Sequence, residues 1–123
     1  MYNTENENTK RAIEFFNRGN LEKLLTNYDI AVIYFNKSIE LNPNFAEAFY
    51  KRGNVKILLG DNEGAIRDYD KAIELDPNLA EAYNNRGITK IKSGDENGGN
   101  LDFLKAGMLG YFKAYDVNKE FCA

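Results

Sequence analysis

Apolar, small and polar positions recur along this chain with a period of 34 residues. Gly19, Gly53 and Gly87 are spaced by this interval, and so are Pro43 and Pro77. An aromatic residue precedes each of these glycines by four positions, and an arginine precedes each by one. A fixed period in this range is typical of stacked supersecondary units, so the sequence predicts repeats that share a core with their neighbours.

Capping residues divide each repeat into two predicted helices. Asn44 is expected to cap the first helix of the second repeat, and Asn78 is expected to do the same one repeat later. Gly60 favours the left-handed conformation that ends a helix, and Asp61 or Asn62 then caps the next helix. A proline follows each of the first two helix pairs and prevents the second helix from continuing.

The recurring residues resemble the tetratricopeptide repeat family over about residues 12–110. The resemblance is carried by Phe15, Gly19, Ala31, Phe35, Pro43, Phe49, Gly53, Ala65, Tyr69, Ala72, Pro77, Tyr83, Gly87, Phe103 and Ala106. It implies an all-α solenoid of three helix-turn-helix repeats. Small residues such as Gly53 and Ala65 would let the two helices of a repeat approach closely.

The chain is expected to form one solenoid with a polar start and an apolar end. The predicted divisions are a frayed segment at residues 1–11, repeats at residues 12–45, 46–79 and 80–110, and a capping helix at residues 111–123. A terminal cap suits a solenoid because its last repeat needs cover. Gly98 and Gly99 predict a softer helix in the third repeat, since glycine disfavours the helical state.

Composition and charge narrow the class of partner. The chain has 123 residues, a net charge of −3 and no basic run, so we expect no nucleic-acid binding. The longest apolar run, residues 30–35, is too short to insert into a membrane, and no signal peptide is visible. A single cysteine, Cys122, suits a reducing compartment, and we expect a cytoplasmic protein.

The residue types needed for catalysis are scarce. The chain has no histidine, and its one cysteine therefore has no histidine base. The acidic pair Asp68 and Asp70 reads better as a solvated helix face than as an acid and a base. We therefore expect no enzyme, no cofactor and no metal.

The family resemblance implies that the first helices of the repeats line a concave groove that takes a peptide. By position, the groove residues are Phe16, Asn17, Asn20, Glu47, Tyr50, Lys51, Asn54, Glu81, Asn84, Asn85 and Ile88. Phe16 and Tyr50 would act as apolar anchors. The asparagines could bond the backbone of an extended peptide, because an amide both donates and accepts. Alternatively, they are tolerated exposed helix residues.

A carboxylate clamp, which in co-chaperones of this family grips the carboxyl terminus of heat-shock chaperones, is a poor match. Asn54 and Asn85 match its asparagines, but its first lysine falls at Phe16 or, in a shifted frame, at Tyr50. Its later lysine and arginine fall at Glu81 and Asn85. A terminal carboxylate would lose its charge-assisted bonds here, so we predict no tight binding of such termini.

A second surface is predicted on the second helix of the first repeat. Ile30, Ile33 and Tyr34, here called the repeat-one stripe, lie at positions i, i+3 and i+4 and share one helix face. One repeat later the same positions carry residues expected to face solvent: Gly64, Arg67 and Asp68. Either residues 1–11 fold back over the stripe or another chain covers it.

These patterns favour a non-catalytic protein–protein interaction module that binds a partner segment in the groove. The alternative is a structural module that self-assembles into a homo-oligomer through the repeat-one stripe. The sequence does not identify the partner.

Overall fold

The computed structural model describes residues 4–111, which form six α-helices and no strand. The helices are α1 (Thr4–Leu24), α2 (Tyr28–Leu41), α3 (Ala46–Leu58), α4 (Asn62–Leu75), α5 (Ala80–Lys92) and α6 (Glu96–Met108). Consecutive helices pair as three hairpins, which stack in chain order through contacts of α2 with α3 and of α4 with α5. The predicted all-α solenoid of helical repeats is confirmed.

The two ends of the chain differ in what the structure describes. Residues 4–11, expected to be frayed, form the first turns of α1. α1 packs on α2, and extending an existing helix costs little because no new nucleus has to form. The predicted capping helix at residues 111–123 lies outside the described residues, except for Tyr111.

Glycines allow the two helices of a hairpin to approach closely. A Cβ atom built on Gly19 would lie 2.7 Å from Cε1 of Phe35, and one built on Gly53 would lie 2.9 Å from Cε1 of Tyr69. Both rings are fully buried. The aromatic side chain of the second helix therefore occupies the space that a larger residue on the first helix would need, as the sequence predicted.

The turn between the two helices of each hairpin requires a left-handed backbone. Gly60 has φ 84° and Gly94 has φ 97°, as predicted. In the first repeat the equivalent residue is Thr26, with φ 62°. A side chain in this region costs about 1–2 kcal/mol, so the first turn carries strain that the other two avoid.

Helix amino termini follow one of the two capping predictions. The side chains of Asp61 and Asp95 each accept a 2.9 Å hydrogen bond from the amide three residues on. Asn44 and Asn78 do not cap α3 and α5, whose first residues receive no side-chain cap. Instead, their own amides donate to the side-chain oxygen two residues earlier, because the proline turn holds them outside the helix.

Arginines connect each hairpin to the one before it. Arg52 donates to both carboxylate oxygens of Asp68 in its own hairpin, at 2.9 and 2.7 Å. A third nitrogen of its guanidinium donates to Oδ1 of Asn36, 2.9 Å away in the preceding hairpin. Arg86 repeats all three contacts in the third repeat. The contacts with the preceding hairpin join α2 to α3 and α4 to α5, so they connect successive hairpins.

Candidate functional site

A cleft of about 300 Å³ opens on the face formed by α1, α3 and α5. Its lining residues are Lys23, Asn54, Ile57, Leu58, Tyr69, Asn85 and Ile88. Tyr69 reaches this cleft from α4, and its ring passes the position where Gly53 lacks a side chain. Three of the residues predicted for the groove, Asn54, Asn85 and Ile88, are thus brought together.

Two tyrosines and two asparagines form a hydrogen-bond network, and three of its members, Asn54, Tyr69 and Asn85, line the cleft. The hydroxyl of Tyr69 donates to Oδ1 of Asn54 at 2.6 Å. Nδ2 of Asn85 donates to the same oxygen at 2.9 Å and to the hydroxyl of Tyr50 at 3.2 Å. The network joins α3, α4 and α5, so side chains from two successive repeats hold one another in place.

Both tyrosine hydroxyls stay protonated at neutral pH. Burial raises the pKa of the Tyr69 hydroxyl far above its ordinary value, and the charge of Asp68 adds to the rise. Burial also raises the pKa of Tyr50, with a further contribution from the charge of Glu81. Tyr69 therefore remains a hydrogen-bond donor to Asn54 over the physiological range.

The network changes the role predicted for the asparagines. The carbonyl oxygen of Asn54 accepts hydrogen bonds from two donors within the domain, and the amide nitrogen of Asn85 donates to two acceptors within it. These side chains hold Tyr50 and Tyr69 in place through hydrogen bonds, and the atoms that make these bonds are not free to bind a ligand. Sequence spacing places residues on a face, but it does not reveal which of them bond to each other.

The other predicted groove residues are placed on the same three helices with fewer contacts. Asn84 donates to Oδ1 of Asn85 at 3.3 Å, and the ammonium of Lys51 lies 5.7 Å from the ring centroid of Tyr50. Asn17 is exposed and Asn20 is half-buried. Neither joins the network among the hydrogen bonds of residues 4–111.

Phe16 is half-buried and packs against the core of the first repeat. Its ring packs 4.9 Å from the ring of Phe45 and 5.9 Å from that of Phe35, measured between centroids. Tyr50 is also half-buried and packs against the core, with its ring centroid 6.0 Å from that of Tyr69, and its hydroxyl accepts a hydrogen bond within the tyrosine–asparagine network.

A second, smaller cleft of about 240 Å³ lies at the amino-terminal ends of α3 and α5. Glu47, Tyr50, Lys51, Leu79 and Glu81 line it. Tyr50 therefore separates an acidic end of the concave face from the end that carries Lys23.

Sequence reasoning missed four residues of the larger cleft: Lys23, Ile57, Leu58 and Tyr69. The repeat spacing held a signal for two of them, because Lys23 and Ile57 lie 34 residues apart, each three positions after a predicted groove asparagine. On a helix, three residues is nearly one turn, so both share the groove face. Tyr69 carried no such signal, since it belongs to a second helix.

The repeat-one stripe is partly as predicted. Ile30 is 44% exposed and Ile33 is 51% exposed, and residues 4–11 continue α1 without covering them. Tyr34 is half-buried, and its ring stacks on Phe15 with a centroid distance of 6.1 Å. The comparison with the second repeat was wrong for two of its three residues: Gly64 and Asp68 are buried, because Gly64 receives the cap of α4 and Asp68 pairs with arginine.

Other site chemistries find no support in the described part of the chain. Within residues 4–111, no three histidine, cysteine, aspartate or glutamate side chains gather in a way that could hold a metal ion. None of the helices described has both the length and the apolar character needed to cross a membrane.

Sequence models of one repeat family match most of the region that forms the hairpins. A model described as TPR repeat matches residues 53–94, and two described as tetratricopeptide repeat match residues 34–67 and 15–45. The chain belongs to the tetratricopeptide repeat family. No curated protein sequence matches it closely enough to count as a relative.

Solved tetratricopeptide structures share this fold. The first TPR of Spaghetti (RPAP3), bound to the HSP90 peptide SRMEEVD, is 19% identical with a TM-score of 0.85, and the match covers 91% of this chain and 90% of that one. The Arabidopsis OM64 TPR domain is 23% identical with a TM-score of 0.86, over 92% and 94% of the two chains. MamA is 27% identical with a TM-score of 0.80, over 87% of this chain and 63% of its own.

Family membership assigns this tetratricopeptide domain a role in protein–protein interaction. Proteins of the family are generally non-catalytic interaction modules. The partner of each structural neighbour belongs to that neighbour, because identities this low establish a common fold and not a common ligand.

Proposed function

We propose that the concave face of α1, α3 and α5 binds an extended segment of a partner protein, with Tyr50 as its principal anchor. The observation that carries the proposal is the open cleft, which is lined by three members of an ordered tyrosine–asparagine network. Side chains that are fixed before binding lose little entropy when a ligand arrives, so such a surface favours association.

Capture of the partner by three variants tests this proposal. The native cell lysate is passed over wild type, Tyr50→Ala and Tyr34→Ala proteins of equal helicity. Tyr34 is a matched control, because it is also a half-buried tyrosine in a ring contact but lies in the repeat-one stripe. We expect Tyr50→Ala alone to lose a partner. Loss with Tyr34→Ala alone would reject the groove.

The relative cost of anchor and asparagine substitutions gives a second test. Aromatic anchors usually dominate interface energies, so Tyr50→Ala should weaken partner binding more than Asn84→Ala or Asn17→Ala. These two asparagines are preferred for the comparison because neither bonds to the buried hydroxyl of Tyr69. A larger loss with either asparagine variant would contradict the assignment of Tyr50 as anchor.

Self-association through the repeat-one stripe is the second candidate, favoured by the exposure of Ile30 and Ile33. The double variant Ile33→Arg, Tyr34→Asp installs the residues that the second repeat carries at these positions. Light scattering should give a dimer or larger species for wild type and a monomer for this variant. Two monomers of equal stability would reject self-association.

Chaperone carboxyl termini are expected to bind weakly to this domain. The peptide SRMEEVD, present in the Spaghetti complex, is a direct probe. The clamp positions carry Glu81 and Asn85 instead of cations, and the amide of Asn85 is already committed to Tyr50 and Asn54. Fluorescence anisotropy should show no saturation at micromolar concentrations, and a low-micromolar dissociation constant would overturn this expectation.

A further inference from the structure

We infer that the larger cleft selects a partner segment in which an aliphatic side chain is adjacent to an acidic one. The aliphatic group would fill the space between Ile57, Leu58 and Ile88, and the side-chain carboxylate would meet the ammonium of Lys23. This inference rests on the proposed function, because it specifies the ligand chemistry of the same concave face.

The apolar wall of the cleft is open to a ligand. Leu58 is 50% exposed and Ile88 is 39% exposed, while Ile57 is half-buried against the core. These residues come from α3 and α5, so a side chain placed between them would contact two repeats. A volume of about 300 Å³ admits a branched aliphatic side chain, and burying it would remove apolar surface from water on both molecules.

Lys23 is the cationic residue that lines the cleft. Lys23 forms none of the ion pairs among residues 4–111, and the neighbouring Glu22 is engaged by Asn27 at 2.9 Å. Asn54 has its oxygen occupied by two internal donors, and its side chain also bonds to the hydroxyl of Tyr50. The ammonium of Lys23 favours a ligand that accepts hydrogen bonds and carries negative charge.

The opposite end of the concave face is unfavourable for an acidic side chain of the partner. Glu47 and Glu81 line the smaller cleft, with Lys51 as its one cationic lining residue. An acidic residue of the partner is therefore attracted towards Lys23 and repelled from the amino-terminal ends of α3 and α5. Complementary charge of this kind favours one placement of the acidic residue along the face.

Short blocked peptides test the ligand chemistry directly. The probes are acetylated, amidated hexapeptides with the central pair Leu-Glu, Leu-Lys or Ala-Glu between Ser-Gly and Gly-Ser. We expect Leu-Glu to shift the amide resonances of Asn54, Leu58 and Ile88 in two-dimensional NMR spectra, with binding about tenfold tighter than for either other peptide. Equal binding of Leu-Glu and Leu-Lys, or no shifts at millimolar concentrations, would overturn the inference.

Charge reversal supplies the matched controls. Lys23→Glu should weaken binding of the Leu-Glu peptide about tenfold and favour the Leu-Lys peptide instead. Lys92→Glu is the control, because Lys92 is an exposed lysine in the last turn of α5 that does not line the cleft. Equal loss with both variants would indicate a general charge effect and reject the Lys23 site.

Two further outcomes separate this inference from the proposed groove. Tighter binding of a peptide that ends in leucine with a free carboxylate would assign the cleft to chain termini and overturn the side-chain preference. If Tyr50→Ala abolishes partner capture while no peptide shifts the cleft, the inference fails and the groove stands. If Tyr50→Ala leaves capture unchanged, the groove itself fails.

Discussion

In the second repeat a buried ion pair links the two helices of the hairpin, whereas in the first repeat stacked aromatic rings lie at the equivalent position. Asp68 is 4% exposed, and its carboxylate contacts Arg52 at 2.7 Å and Lys56 at 3.1 Å. The equivalent position in the first repeat is Tyr34. Two chemically unrelated residues therefore occupy one site in the same helical frame.

The first repeat adapts its neighbouring residues to the ring. Arg18, equivalent to Arg52, lies 5.3 Å from the ring centroid of Tyr34, and the ammonium of Lys37 lies 5.7 Å from it. Glu22 takes the place of Lys56, so the second cation that Asp68 attracts is absent there. The hairpin geometry follows from the shared glycines and buried aromatic residues, and the polar contact across the hairpin is interchangeable.

Removing the central residue of each arrangement should give the largest difference. Asp68→Ala leaves two cations without their shared partner, and we expect a loss of about 3 kcal/mol in the free energy of unfolding. Tyr34→Ala removes a ring stack and two cation–π contacts, and about 1–2 kcal/mol should be lost. Urea unfolding monitored by circular dichroism measures both. Equal losses would show that the buried charges contribute no more than the rings.

In the third repeat, α6 approaches the backbone of α5 closely at Gly99. Gly99 stands where Ala31 and Ala65 stand earlier, and a Cβ atom on it would lie 2.7 Å from the carbonyl oxygen of Gly87. Gly99→Ala should therefore cost about 2 kcal/mol despite the better helix propensity of alanine. Gly107→Ala is the control in the same helix, because nothing lies within 4 Å of its added atom. That variant should gain up to about 1 kcal/mol, and a gain at both sites would contradict the close approach.

Exchanging the turn residues of the first two repeats should change the stability of the protein in opposite directions. Thr26→Gly relieves the positive φ of the first turn and should stabilise the protein by about 0.5–1 kcal/mol. Gly60→Thr introduces the same strain in the second turn and should destabilise it by about 1 kcal/mol. Thermal unfolding of both variants tests the pair. A stabilising Gly60→Thr would show that the turn conformation differs in solution.

The exposed ion pair between Arg86 and Asp70 should contribute least to stability. Asp70 accepts from Arg86 at 2.9 Å, but its side chain is 54% exposed. Asp70→Ala should therefore cost about 0.5 kcal/mol or less, because solvent screens the pair. Urea unfolding beside Asp68→Ala gives the comparison, and similar losses for the two variants would mean that burial does not govern these ion pairs.

The sequence predicted the fold well because its signals are local and repeated. The interval of 34 residues, the turn residues Gly60 and Gly94 and the close approach at Gly53 each follow from backbone conformation or residue size. Residues 4–11, which lie in the segment expected to be frayed, are the first turns of α1, and extending an existing helix costs little. The predicted caps at Asn44 and Asn78 did not form, because the proline turn holds both residues outside the helices and their own amides donate to the side chains two residues earlier.

The candidate site was less predictable because its contacts join residues that are far apart in the chain. Periodicity placed Tyr50, Asn54 and Asn85 on one face, but only the folded chain shows that Tyr69 enters between them and that the amides bond to one another. The sequence by itself determined the repeat, the helix pairing and which residues share the face of the first helices, since these depend on local backbone preference and spacing. The tertiary structure decided which polar atoms remain for a partner and which acids are buried, since hydrogen bonds and burial depend on the packing of neighbouring repeats.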